Sequence, residues 1–347
     1  MTWRRVIFGS VAAPCLVLVL LVLLVVFCAK PDLYGATTFS TAVTDRNGVL
    51  LRIELADDDR YRLKTALAEI APTAVAATLL YEDRWFESHV GFNIGALLRA
   101  AWTTYVQRDR AVGGSTITMQ LARLRFGLDT RSVRGKLVQI ARAVQLERHY
   151  TKDAILEAYL NLAPYGGNIE GIGTASLIYF DKPASQVSLP EALALAVVPQ
   201  NPVKRAPATP NGMAQTLSAR ARLASLWADE YGLTETQAAQ ASLPLVARAT
   251  SRLPYRAPHF SRHLGSYARA DRSVVRTSLD VGIQTTLEQR LQRYVERKRN
   301  VGIRNASAML VDFRSMQVVA SVGSAAFFDT AIAGQVDGTR AKRSPGS

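Results

Sequence analysis

The chain has 347 residues, 48% of them hydrophobic and 20% charged, which excludes a disordered or collagen-like polypeptide and leaves room for two domains. Two cysteines, Cys15 and Cys28, exclude a disulfide-stapled fold and a cysteine-rich zinc site, and the four histidines (His89, His149, His259, His263) are not read as metal ligands. A net charge of +14 points to an acidic partner: nucleic acid, anionic lipid or a phosphorylated substrate.

Residues 6–29 are 24 consecutive positions without a charge. As a helix they span about 36 Å, enough for a hydrocarbon core of about 30 Å. The apolar stretch exceeds that of a cleaved signal peptide, and bulky Phe27 before Cys28 does not fit a lipoprotein site. Arg4 and Arg5 keep the N-terminus inside, so a single-pass, uncleaved membrane anchor is predicted, with everything after residue 30 outside the cell membrane. That placement removes nucleic acid from the candidate partners.

Residues 31–57 carry two short strand-like pieces joined at Asp45-Arg46-Asn47-Gly48, and Asn-Gly between apolar runs predicts a hairpin. Helices follow over 71–87, with Val75, Leu79 and Phe86 on one face, over 137–148, with Leu137, Ile140, Ala141 and Val144 at helical spacing, and over 151–161, capped by Thr151. Two more are predicted at 189–198 and 218–230. Residues 200–212 form a proline-rich surface excursion and 250–262 a linker. Beyond it the pattern changes to one helix, 281–298, and two alternating strands, 306–311 and 317–322. A helix and a hairpin bury little, so residues 263–347 are expected to pack poorly.

Three constellations could carry chemistry. In 82–91, Glu-Asp-Arg-Trp-Phe-Glu-Ser-His-Val-Gly, Glu82 shares a helical face with apolar residues. Desolvation there would raise its pKa and make it a better base. Read alone, the block is also a solvated acidic cluster, and His89 a structural hydrogen-bonder. In 113–120, Gly-Gly-Ser-Thr-Ile-Thr-Met-Gln, two glycines and hydroxyls ahead of an apolar run suit an anion site at a helix N-terminus. The same residues also read as a glycine loop with an N-cap. Arg123 and Arg125 follow closely. In the third, Lys136 to Gln139 and Lys152 to Asn161 are two amphipathic helices, with Lys152 read as solvated.

Taken in order, these blocks resemble the peptidoglycan glycosyltransferases of glycosyltransferase family 51. Residues 82–91 are similar to the family's first motif, 113–120 to the second, 152–161 to the fourth and 221–226 weakly to the fifth. The third motif usually reads Arg-Lys-x-x-Glu, and here the matching positions are Gly135, Lys136 and Gln139. A glutamine carries no charge and takes no proton, but it positions by hydrogen bonds. With its anchor, the chain resembles a class A penicillin-binding protein, best the 1C subgroup, in this motif and in Ala163-Pro164-Tyr165-Gly166-Gly167. Residues 343–347 look like the start of that family's active-serine motif, with Ser347 at the nucleophile position. The lysine and the later Ser-x-Asn and Lys-Thr-Gly elements are not in this sequence, so no transpeptidase activity is expected of it.

The resemblance implies a mainly α architecture: an anchor (1–30), a short hairpin or linker (31–57), a lysozyme-like two-lobed glycosyltransferase domain (58–230), a linker (231–262) and an incomplete α/β transpeptidase domain (263–347). It implies a bacterial inner-membrane protein with its catalytic domain in the periplasm. Its substrates would be lipid II and the growing glycan strand, and proteins of cell-wall synthesis would be partners. The implied catalytic residues are Glu82, as general base, and Gln139. Asp83, Phe86, His89, Ser115, Thr116, Gln120, Arg123, Lys136 and Arg222 would bind substrate or shape the cleft. No cofactor or metal is required, although a divalent cation, Mg or Mn, could assist the pyrophosphate. Two other readings remain: a lysozyme-like glycan-cleaving enzyme, and a catalytically impaired lipid II-binding or scaffold protein.

Overall fold

A computed structural model describes residues 29–95, 114–249, 253–264 and 274–342. The predicted anchor, apart from its last residues, and Ser347 lie outside them. Among the described residues no helix is long and apolar enough to cross a membrane.

In chain order the strands Ala42–Thr44 (β1), Leu50–Ile53 (β2) and Tyr61–Arg62 (β3) precede the helices Pro72–Glu82 (α1), Ile117–Phe126 (α2), Val133–His149 (α3) and Lys152–Leu162 (α4). The short strands Pro164–Gly166 (β4) and Ile169–Glu170 (β5) lead to helices Ile172–Phe180 (α5), Leu189–Val197 (α6), Pro210–Tyr231 (α7), Glu235–Ala241 (α8) and Pro258–Leu264 (α9). Strand Val274–Arg276 (β6), helix Val281–Lys298 (α10) and strands Ala308–Asp312 (β7) and Gln317–Val322 (β8) complete the mostly helical chain. The elements group into two units, one drawn from Met1–Thr37, Thr65–Ala175 and Ala184–Leu245, the other from Thr38–Lys64, Ser176–Pro183 and Val246–Ser347.

In the first unit the helix starts are written locally. The hydroxyls of Thr116, Ser132 and Thr151 accept the backbone N–H of Met119, Gly135 and Ala154, each cap stabilising its helix by about 1 kcal/mol. Ser188 and Glu191 form a capping box on α6, and Thr209 caps α7 ahead of Pro210. One core joins α1, α6 and α7 through Ala77, Leu193, Ala196, Val197, Ala219, Leu223 and Trp227, its alanines letting the helices approach closely. Helix α2 packs on α3 and α4, burying Ile117, Leu121, Ala141, Leu146, Ile155 and Ala158.

Several boundaries differ from the sequence expectation. Helix α1 stops at Glu82, and its buried stripe is Ala74, Ala77 and Thr78, with Val75 and Leu79 half-buried. The cause is Asp83, which leaves the helix in a non-helical conformation and sends its carboxylate to the N-terminus of α2. Phe86 is therefore not on the helical face of Glu82, although it is buried. Helix α3 starts earlier than expected and buries Gln139 and Gln145, while Leu137, Ile140 and Val144 are half-buried. Helix α7 begins inside the proline-rich stretch, because proline at the first helical position is favourable. The expected linker 250–262 contains the start of α9.

In the second unit β1 and β2 pair antiparallel around a turn held by Asp45, whose carboxylate accepts from Asn47 N and Val49 N at 2.8 Å each. The hairpin does not stand alone: β6 runs parallel to β1, pairing Ala42 with Val274 and Thr44 with Arg276. Val43, Leu51, Ala257 and Leu279 form the core on one side. Helix α10 lies on β8, and the Gln284 amide exchanges both hydrogen bonds with the Ser321 backbone at 2.8 and 3.0 Å. Strand β8 buries Ala320 and Val322, whereas β7 leaves Met309, Leu310 and Val311 exposed.

Candidate active site

The site is built on a polar framework behind it. Asp83 accepts from Ile117 N and from His89 Nε2, both at 2.9 Å. Because His89 Nδ1 accepts from Gly91 N at 3.1 Å, the ring proton sits on Nε2 and is donated to Asp83. Gly91 has φ +100°, and a Cβ there would come within 2.9 Å of the Ala143 backbone, so only glycine fits. Its carbonyl accepts from Thr116 Oγ1 at 2.7 Å. Lys152 Nζ donates to His89 O at 2.6 Å and to Glu147 at 2.7 Å, and lies 4.5 Å from the centroid of the Phe86 ring. Glu147 also accepts from Thr118 Oγ1 at 2.6 Å. These bonds knit the three sequence blocks together.

Asp83, Phe86, His89 and Thr116 thus belong to the frame: their polar atoms or rings are spent on one another and on the backbone. The N-terminus of α2, read as an anion site, is occupied by the Asp83 carboxylate and the Thr116 cap. Lys152, expected in solvent, is a strut of the frame.

In front lies a cavity of about 360 Å³ lined by Tyr81, Glu82, Ser115, Gln120, Arg123, Thr130, Gln139, Pro199 and Gln200. Glu82, the last residue of α1, projects into it. Its Oε2 accepts from Gln120 Nε2 at 2.8 Å, while Oε1 is withdrawn from solvent and has no hydrogen-bond partner. Desolvation pushes the Glu82 carboxyl above the usual carboxylate range, partly offset by the Gln120 bond and by the charges of Arg205 and Arg123. Tyr159 OH reaches Gln120 Oε1 at 3.4 Å. Burial raises the phenol pKa values of Tyr159 and Tyr165, so both stay neutral around this carboxylate.

The basic part of the wall is organised by α3. Lys136 Nζ donates to Ser115 Oγ at 2.7 Å and to Gln139 Oε1 at 2.9 Å. Gln139 Nε2 in turn donates to Met119 O at 2.6 Å. Both partners of the ammonium are neutral, and desolvation followed by the nearby Arg123 charge holds the Lys136 pKa below the ordinary lysine value. The glycine at 135 has a steric cause: a Cβ would lie 1.9 Å from Asp129 O, so the preceding loop closes the space an arginine would need.

Arg222 is not part of the cavity lining; it is exposed on α7 and donates to Ser218 Oγ at 3.1 Å. Arg205, which sequence reasoning missed, sits behind the lining instead, bonded to Tyr81, Gln200 and Val197 O. Tyr81 and Gln200 were missed as well. The available signal was a proline-punctuated loop directly after a buried helix, the kind of connection that tends to carry function. Among the described residues Glu82 is the one carboxylate lining the cavity, with Arg123 in the same wall. Among the described residues that donor set is short of the several oxygen ligands that a protein-held Mg or Mn needs. Among the described residues no three His, Cys, Asp or Glu side chains gather as metal ligands.

The cavity therefore offers a desolvated base with one oxygen free of hydrogen bonds, together with cations that lack anionic partners among the described residues. The transglycosylase family model matches residues 22–225. Penicillin-binding protein 1C of Escherichia coli (strain K12) is 36% identical over 295 residues, 84% of this chain and 37% of that protein. A biosynthetic peptidoglycan transglycosylase of Yersinia pseudotuberculosis serotype O:1b (strain IP 31758) is 37% identical over 144 residues, 42% of this chain and 60% of that protein. The crystal structure of penicillin-binding protein 1A from Haemophilus influenzae aligns with 80% of this chain and 32% of that one, at 16% identity and a TM-score of 0.34, too loose a likeness to define a shared fold. The chain spans less than two thirds of the length of these relatives. The family match covers more than half of the sequence, and the chain belongs to the transglycosylase family.

Proposed function

We propose that the chain is a peptidoglycan glycosyltransferase that joins lipid II units into glycan strands. The Glu82 carboxylate takes the proton from the 4-hydroxyl of the acceptor's GlcNAc. The freed oxygen attacks the anomeric carbon of the donor MurNAc, and the bond from that carbon to the pyrophosphate breaks with inversion. The electron pair leaves on undecaprenyl pyrophosphate, and the proton stays on Glu82 until solvent removes it. A base of raised pKa suits the first event. Lys136 and Arg123 suit the last, because fixed cations with little water stabilise charge that develops on a leaving group. Ser115 and Gln139 hold Lys136, and Gln120 holds Glu82.

The observation that carries this reading is the buried, unpartnered Oε1 of Glu82 in the same cavity as Arg123 and the Gln139 that holds Lys136. The family membership and the names of the relatives support the substrate class. The basic chain and the uncharged run at 6–29 suit a membrane-bound anionic substrate and support a location at the inner membrane, with this cavity on the periplasmic side, among the proteins of cell-wall synthesis. Labelled lipid II supplied to the purified chain in detergent should yield glycan strands and undecaprenyl pyrophosphate. Binding of lipid II without turnover would overturn the enzyme reading and favour a lipid II-binding protein.

A further inference from the structure

The segment after α6 makes a closed hydrogen-bond triangle at the cavity wall. Arg205 Nη1 donates to Tyr81 OH at 2.9 Å and to Gln200 Oε1 at 3.0 Å, and Tyr81 OH donates to Gln200 Oε1 at 2.8 Å. The same guanidinium nitrogen reaches Val197 O at 2.7 Å, which ties the triangle to the end of α6. A guanidinium has donors only, so the atom of Gln200 that faces it is the oxygen. The orientation of the amide is thereby fixed. Its NH2 group has no protein partner among the described residues, and Gln200 lines the same cavity as Glu82.

An amide locked by its oxygen and left open at its nitrogen is a preorganised donor. It is uncharged, so it suits a neutral oxygen better than a phosphate, for which Arg123 and Lys136 are already present. From this geometry we infer that Gln200 is a substrate-binding residue that donates from Nε2 to a hydroxyl or acetamido oxygen of the sugar held beside Glu82. Tyr81 and Arg205 are its positioning residues. The inference rests on the lipid II reading above and assigns the disaccharide, rather than the pyrophosphate, to this side of the cavity.

Two probes separate the possibilities: labelled lipid II, and undecaprenyl pyrophosphate, which lacks the disaccharide. Their affinities are measured by fluorescence anisotropy for the full chain in detergent, with thermal melting as the control for folding. Gln200→Ala should weaken lipid II binding about threefold to tenfold, the size of one lost hydrogen bond. Gln200→Glu keeps an oxygen for Tyr81 and Arg205 but turns a second oxygen on the sugar, and should weaken lipid II binding further. Tyr81→Phe, which unlocks the amide, should weaken it about threefold. Undecaprenyl pyrophosphate should bind Gln200→Ala as it binds the parent. Equal losses on both probes, or no loss of lipid II affinity in Gln200→Ala, would overturn the inference. A parent that shows this pattern yet never polymerises would sink the enzyme reading and leave the Gln200 assignment standing. A parent that binds neither probe would overturn both.

Discussion

The frame behind the cavity and the cavity itself use the same residue types in opposite ways. In the frame, Lys152 meets Glu147, and Asp83 meets His89 and a helix N-terminus. At the cavity, Glu82 meets the amide of Gln120, and Lys136, beside the wall, meets the hydroxyl of Ser115 and the amide of Gln139. Among the described residues neither of these cavity groups forms an ion pair, and both have pKa values displaced by desolvation. Saturated charges hold a fold; charges steadied by neutral groups keep most of their field for a ligand. The neighbours Glu82 and Asp83 show the contrast within one step of the chain. Asp83 turns back into the frame, and the end of α1 that this turn creates leaves Glu82 facing the cavity.

Substitutions can sharpen or break this comparison. The largest effect is expected at Glu82: Glu82→Gln should lower polymerisation about 10²–10⁴-fold, as for loss of a general base, while the fold survives. Its stability should shift with pH in a definite direction. Since the folded pKa of Glu82 is raised, the carboxyl opposes folding once ionised. Glu82→Gln should therefore melt higher than the parent above that raised pKa, and the gain should vanish below the ordinary carboxylate range. Lys136→Ala should cost about 10²–10³-fold in turnover. The parent's activity should fall on the alkaline side at a pH below the ordinary lysine pKa, because the lowered value makes Lys136 lose its charge sooner.

The frame should answer with stability instead. Asp83→Ala strips partners from Ile117 N and His89 and should lower stability by about 2–4 kcal/mol, read by denaturant unfolding. A mutant that lost turnover but kept parental stability would contradict the division between frame and cavity. The smallest effect belongs to Arg222: its alanine variant should keep lipid II turnover within about twofold of the parent, as an exposed side chain outside the cavity lining.

Much of the site could be read from the residues because its parts lie in short blocks. Glu82, Ser115, Gln120, Arg123 and Gln139, all named from the sequence, line one cavity, and Lys136 stands beside them through its bonds to Ser115 and Gln139. What could not be read is which polar residues face the cavity and which face one another. Asp83, His89 and Thr116 are of types that bind ligands equally well, and only the approach of α1, α2 and α3 commits them to the frame. Arg205 and Gln200 carry no local motif; their meaning comes from meeting Tyr81 more than a hundred positions away. The fold divides the same way. The Thr151 cap announced α4, the Asn47-Gly48 turn announced its hairpin, and α6 was expected over 189–198. The parallel pairing of β1 with β6 joins segments some 230 residues apart, and no local pattern encodes it.

The central claim is that Glu82 is the reserved base and Gln139 the neutral bridge that fixes Lys136. The most direct measurement is polymerisation of labelled lipid II by the parent chain beside Glu82→Gln and Gln139→Glu, each checked for folding. The account predicts glycan strands from the parent and none from folded Glu82→Gln. It predicts less product from Gln139→Glu, because a carboxylate there would face Met119 O, now 2.6 Å from the amide nitrogen, and would neutralise Lys136. A silent parent with an active Gln139→Glu, or parental rates from Glu82→Gln, would contradict it.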